Sequence, residues 1–225
     1  EVLPEFLEKD AKKLIEEFGE SINTYVEDRD FFNKESTSML SVHLRFGLVS
    51  PREIFNKIKE LNTNECDAYI RQLFWREFYN YILYHFPMSQ FENFKKLNVP
   101  WNENEDDFIA WCEGNTGVPI IDASMREFNK TGMMHNRLRM IVSSYLTKNL
   151  LIDWKKGERY FASKLLDYEA SSNIGSWQWA ASTGVDSVPY FRIFNPYLQS
   201  AKFDKEAVFI KSVIKEFENI DAKIL

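Results

Sequence analysis

Apolar side chains recur three and four positions apart along most of the chain, and no stretch alternates apolar with polar over a strand's length. A period of about 3.6 places such positions on one stripe of a helix, whereas a half-buried strand needs a period of two. Eight Gly and seven Pro in 225 residues interrupt the pattern rarely, so it predicts an all-α fold. Start and stop signals divide it. An acidic amphipathic helix is expected over residues 3–18, stopped by Gly19. Residues 20–35 read as polar and irregular. A helix over 39–46 is ended by Gly47, and Ser50-Pro51-Arg52-Glu53 reads as a capping box opening a helix to about Leu61. A long helix is expected from Glu65 to Phe86, closed by Pro87. Further helices are expected over 105–113, 119–130, 134–150, 156–166 and 169–181, with the last from Asp204 to Phe217. No repeat, low-complexity tract or linker divides the chain, so residues 1–225 read as one domain.

Bulk numbers narrow the classes. Apolar content of 44% and charged content of 28% suit a globular protein with a sizeable core. Two cysteines, Cys66 and Cys112, are too few for a disulfide framework and lack metal-ligand spacing, which points to a reducing compartment and no metal. No apolar run reaches membrane-spanning length, so no membrane partner is expected. The net charge of −6 argues against a uniformly basic nucleic-acid binder but leaves room for a local patch. Charge is indeed uneven: residues 1–30 hold ten acidic and four basic side chains, residues 120–160 eight basic and four acidic. Aromatic content of 16% is high, which suits either a large core or stacking on a flat ligand.

Chemistry-bearing motifs are few. His43, His85 and His135 have no nucleophile in a strained turn, no glycine-rich phosphate loop is present, and no carboxylate pair stands out, so a conventional hydrolase is disfavoured. What remains is a hydroxyl cluster around Thr37, Ser38 and Ser41 at a helix start, Trp75-Arg76-Glu77-Phe78 on a helix, the run from His135 to Met140, and residues 173–184, Asn-Ile-Gly-Ser-Trp-Gln-Trp-Ala-Ala-Ser-Thr-Gly. On a helix Trp177 and Trp179 point to different sides. One indole then packs inward while the other lines a cavity, unless both are simply core. The hydroxyls, likewise, are either an ordinary N-cap or an anion cradle.

These motifs, in order and at fitting spacing, resemble the C-terminal flavin-binding helical domain of the photolyase/cryptochrome family. The resemblance runs from about Tyr25 to Asp204 and is closest to class I cyclobutane pyrimidine dimer photolyases. Thr116-Gly117 with Pro119-Ile120-Ile121-Asp122, Leu151-Ile152-Asp153-Trp154 and Pro189-Tyr190-Phe191-Arg192 carry it further. It implies an all-α, multi-helix FAD-binding domain without the family's N-terminal α/β antenna domain, hence a fragment of a longer protein with no antenna chromophore in this chain. It implies FAD, active when reduced, held by Tyr25, Thr37, Ser38, Met39, Leu40, Ser41, Tyr69, Arg139, Asp167, Glu169 and Asn173, with phosphates at a helix N-terminus. Asn173 resembles the residue facing flavin N5, where a neutral amide bonds a reduced flavin without adding charge. Trp101, Trp154 and Trp177 resemble a chain carrying electrons to the flavin; read without the family, Trp101 and Trp154 are core or rim packing. Arg29, Gln72, Trp75, Asn136, Arg137, Met140 and Trp179 resemble the surface that takes damaged DNA, with the two indoles as walls for a flipped pyrimidine dimer. The implied activity is light-driven dimer repair by a bacterial-type, cytoplasmic, monomeric DNA photo-lyase. The alternative is a cryptochrome-type photoreceptor.

Three positions depart from the pattern. Gln72 stands where such enzymes have Glu, Glu169 where they have Asp, and Met39 where a basic residue is common. Gln72 offers a hydrogen bond to a pyrimidine carbonyl but neither charge nor proton.

Overall fold

The computed structural model describes residues 8–225, and every regular element among them is helical. The N-terminal part comprises α1 (Glu8–Ser21), a one-turn α2 (Tyr25–Asp28), α3 (Ser41–Arg45), α4 (Pro51–Glu60) and the 22-residue α5 (Asn64–His85). Then follow α6 (Glu105–Glu113), α7 (Pro119–Thr131), α8 (Asn136–Ser144), α9 (Trp154–Lys164), α10 (Ala170–Ala181), α11 (Pro196–Phe203) and α12 (Val208–Val213).

Local chemistry explains most boundaries. Ser50 accepts the Arg52 amide at 3.2 Å with Pro51 in the first turn, so α4 is capped as expected, through N2 and without the reciprocal Glu of a full box. Asn104 accepts the amides of Asp106 and Asp107, and Gly114 closes α6 at φ 69°. Asp153 accepts the Lys155 amide at 3.0 Å, which starts α9 at Trp154, two residues earlier than expected.

Other boundaries differ from the sequence expectation. The start assigned to the first helix at residues 3–7 lies outside the described residues. Gly19 does not stop α1, because its backbone stays helical and the helix continues to Ser21. The segment read as irregular contains a 3₁₀ turn, Ile22–Thr24, and α2, since Ile22 and Tyr25 are drawn into the core. The expected helix over 134–150 starts at Asn136, where His135 Nδ1 caps the Arg137 amide at 3.1 Å, and widens into a π turn over Tyr145–Asn149. The last expected helix shortens to α12, because Asp204 turns both carboxylate oxygens onto the amides of Phe209 and Ile210 and Ala207 takes φ 51°. Helix α11 was not anticipated, although Asn195-Pro196 carries its start signal: Asn195 accepts the Leu198 amide.

Two apolar clusters form. The smaller gathers Ala11, Ile15 and Phe18 of α1, Ile54 and Ile58 of α4, and Tyr69, Ile70 and Leu73 of α5. The larger is built around Trp111, Phe128, Ile141, Trp154, Phe161 and Trp177. Each large side chain fully buried here contributes about 1.5–3 kcal/mol relative to exposure. Helix α10 packs on α9, α5 and α8. Two close approaches make this possible. A Cβ on Gly157 of α9 would lie 2.3 Å from the Trp177 indole, and one on Gly175 of α10 would lie 2.2 Å from the Tyr79 ring. Cys66 and Cys112 are both buried thiols, and burial pushes Cys112 up to about 12.

Candidate functional site

The smaller cluster ends in a knot of aromatic rings. Phe18, Tyr25 and Tyr69 meet at centroid distances of 4.6 to 5.5 Å, and the Arg29 guanidinium stands 5.7 Å over the Tyr25 ring. Burial raises both phenols, Tyr69 to about 12, so they act as neutral donors. Tyr69 donates to Ser38 Oγ at 2.9 Å, which ties α5 to the hydroxyl segment. In that segment Met39 takes φ 52°, Leu40 is buried in the cluster, Thr37 reaches only the Met39 sulfur, and Ser41 opens α3. Ser36 Oγ is buried without a partner. A buried hydroxyl left unsatisfied costs free energy unless a group not among these residues completes it. The segment therefore has the donor chemistry for an oxygen-rich ligand.

Arg139 of α8 grips Asp167 with Nη2 at 3.1 and 2.9 Å from the two carboxylate oxygens, while its Nε holds the Met134 carbonyl. The buried Asn173 amide donates to Glu158 Oε1 at 3.0 Å and to the Glu158 carbonyl at 3.3 Å, and Tyr168 donates to the same carboxylate. Asn173 is thus held by Glu158. Neither Glu158 nor Tyr168 was singled out from the sequence; the only signal was Glu158 lying one helical turn after Trp154 in α9. Glu169, expected at a cofactor edge, is committed elsewhere: Arg76 Nη2 lies 2.6 Å from Oε1 and Ser172 bonds Oε2.

The tryptophans separate as their spacing required. Trp177 is 2% exposed, against Trp111 at 6.0 Å and Phe161 at 5.1 Å. Trp179 is half-buried against Phe194 at 6.0 Å. Trp154 is fully buried in the same core, its indole N–H bonded to Asn93 at 2.8 Å, and Trp101 packs at the edge. Among the described residues the indole in ring contact with Trp177 is Trp111, which the sequence reading left out because nothing in its local pattern marks it.

Toward solvent, Trp75 of α5 is 38% exposed and its ring lies 6.1 Å from Tyr79, which seats on Gly175 one turn before Trp179. The exposed Trp75 and the half-buried Trp179 therefore sit on adjoining helices joined by one tyrosine. Asn136 is exposed, its amide 3.7 Å from Met140 sulfur; Gln72 is exposed and bonded only to its own helix at Ala68. Arg137, expected as a phosphate contact, is paired within the chain. Its side chain is 14% exposed, 2.5 Å from Asp30 and 4.6 Å over the Phe203 ring, because the α2 end brings an acid to it. Two cavities are present nearby: a narrow crevice behind Trp179 and Tyr79, and an open cleft of about 400 Å³ lined by Arg45, Asn80, Tyr84, Tyr168 and Glu169. No group of side chains among the described residues could hold a metal ion.

An all-helical domain with a hydroxyl-lined turn, a tethered buried amide and aromatic walls defines a helical cofactor-binding class. The chain belongs to the family described as the FAD binding domain of DNA photolyase, which residues 69–225 match. It is 47% identical over 213 residues to a deoxyribodipyrimidine photo-lyase of Buchnera aphidicola, a match covering 89% of this chain and 44% of that protein. Among solved structures it superposes on a bacterial class III photolyase from Agrobacterium tumefaciens (TM-score 0.92, 40% identity, 96% of this chain and 46% of that one). A cryptochrome from Synechocystis superposes similarly (TM-score 0.91, 32% identity, 98% and 48%). The chain spans about half the length of these relatives.

Proposed function

We propose that this chain is the flavin-binding part of a light-driven photo-lyase that reverses pyrimidine dimers in DNA, working as a bacterial-type cytoplasmic monomer. The observation that supports it most is the pair Trp75 and Trp179, carried on adjoining helices that meet where the Tyr79 ring seats on Gly175. Two indoles stacked on flipped bases would recover about 1–3 kcal/mol per base lost when a base pair is unstacked, and a dimerised pair costs less than normal bases to flip out.

The hydroxyl segment and the tethered Asn173 amide suit FAD, which when bound, reduced and excited would supply the electron that splits the dimer. Ser36, Thr37, Ser38 and Ser41 provide donors for its phosphate-bearing part, with Tyr25, Met39, Leu40 and Tyr69 against it. Arg139, Asp167 and Asn173 serve its ring. Glu158 fixes the orientation of the Asn173 amide, which is itself a neutral group. The buried Trp177 and Trp154, with Trp101 at the edge of the same core, would serve electron supply. Arg29 would meet DNA phosphates; Arg137 would do so only by releasing Asp30.

The test is irradiation of the FAD-loaded, chemically reduced protein with a dimer-containing oligonucleotide. Light-dependent restoration of the pyrimidines is expected, and its absence removes the reading. Gln72 supports a second one, a cryptochrome-type photoreceptor, since it offers the lesion no charge; flavin photochemistry without repair would favour it.

A further inference from the structure

Lys148 is a half-buried cation close to Trp179 in the chain's fold, joined to the C-cap of that tryptophan's helix. It sits on the π turn that continues α8, and its Nζ donates to Ser182 Oγ at 2.6 Å, lies 3.4 Å from the Tyr190 carbonyl, and rests 4.6 Å over the Tyr190 ring. It is half-buried, yet among the described residues no carboxylate lies within 4 Å of it. Lost solvation lowers its pKa to about 8. A partly desolvated ammonium without a counter-charge is unfavourable, and folded proteins usually pair such groups.

Its surroundings indicate where the counter-charge comes from. Ser182 caps α10 at φ 66°, three residues after Trp179. The row Asn136, Met140, Ser144, Lys148 runs at four-residue spacing along α8 and its π turn, and Ser144 Oγ accepts the amide of Phe194, the ring behind Trp179. Lys95 enters the same loop from the other side, donating to Ser187 Oγ at 2.8 Å and likewise without a carboxylate partner among the described residues. Asp186, the acid in that loop, lies on its Tyr79 side. Tyr190 and Phe191 are exposed beside it.

We propose that Lys148 is a phosphodiester site for the nucleic acid bound at Trp179, its ammonium completing its ion pair only in the complex. The inference rests on the DNA-binding reading given above. Phosphate contacts position a duplex and carry no sequence information, so Lys148 would set register at the Ser182 end of α10.

The discriminating measurement is the salt dependence of binding, by fluorescence anisotropy, of FAD-loaded wild type, Lys148→Gln and Lys148→Arg to dimer-containing and undamaged duplexes. Gln removes the charge while keeping an N–H donor on a side chain one methylene shorter. Its affinity should fall roughly tenfold on both duplexes, and its slope of log K against log salt should shrink by about 1. Arg should restore both. Weaker binding with the wild-type slope, or no change at all, overturns the proposal and leaves Lys148 a loop support. If wild type fails to prefer the dimer duplex, the repair reading fails on its own, while the slope on undamaged DNA still judges Lys148. If Lys148→Gln loses its flavin or its fold, Arg against wild type at pH 7 and pH 9 decides. Wild type should weaken relative to Arg as its amine deprotonates, and parallel behaviour refutes the site.

Discussion

His135 shows how one side chain carries two demands. Its Nδ1 must stay unprotonated to accept the Arg137 amide at the start of α8, and its Nε2 is buried without a partner. Burial, with Arg137 and Arg139 adding and Asp30 opposing, depresses its pKa to about 4. The folded state therefore binds this proton less readily than the unfolded chain. The stability so conferred is complete above about pH 6.5 and is lost as pH falls toward 4, at most about 3 kcal/mol. Urea unfolding at pH 7 and pH 4.5 should show that loss in wild type and much less of it in His135→Asn, which keeps an N-cap acceptor that does not titrate. Equal losses in both proteins would assign the acid sensitivity to other groups.

At the scale of elements, two helical glycines predict opposite signs. Gly157 is where α9 lets the Trp177 indole and Leu146 approach; a methyl there would sit 2.3 and 2.6 Å from them. Gly157→Ala should cost about 1–3 kcal/mol by overpacking and alter the near-UV signal of Trp177. Gly19 lies inside α1 with only the flexible end of Leu61 nearby, at 3.4 Å. Gly19→Ala should raise stability by about 0.5–1 kcal/mol. Denaturant midpoints moving in the same direction for both would show that helix–helix approach is not what fixes Gly157. The π turn after Ser144 belongs to the same scale: it carries Lys148 in the row begun by Asn136.

Across the whole molecule, α5 joins two apolar clusters, and the residues proposed for the flavin come from both. Tyr25, Leu40 and Tyr69 belong to the smaller; Trp154 and Trp177 belong to the larger. Two ion pairs also cross, Asp30–Arg137 and Arg76–Glu169. A ligand touching both clusters stabilises them as one unit, by about 2.7 kcal/mol at a hundredfold excess over its Kd. Hydrogen exchange with and without FAD should show added protection in α1–α4 as well as in α8–α10. Protection confined to α8–α10 would mean that the hydroxyl segment does not hold the cofactor.

Helical periodicity, Gly47, Ser50-Pro51 and Pro87 were enough to read the all-α class and several helix limits, because those signals act within one turn of backbone. The opposed roles of Trp177 and Trp179 were legible for the same reason: their directions follow from helix geometry alone. What the chain could not disclose locally is which charges meet. Arg137 looks free in sequence and is bound to Asp30, more than a hundred residues away; Glu169 is taken by Arg76; Asn173 is held by Glu158. Lys148, one of eight basic residues in its segment, becomes distinct only when the fold leaves it half-buried without an acid. Local structure is decided by near neighbours, but pairing, desolvation and pKa depend on what distant segments bring within a few ångströms, and that only the tertiary structure decides.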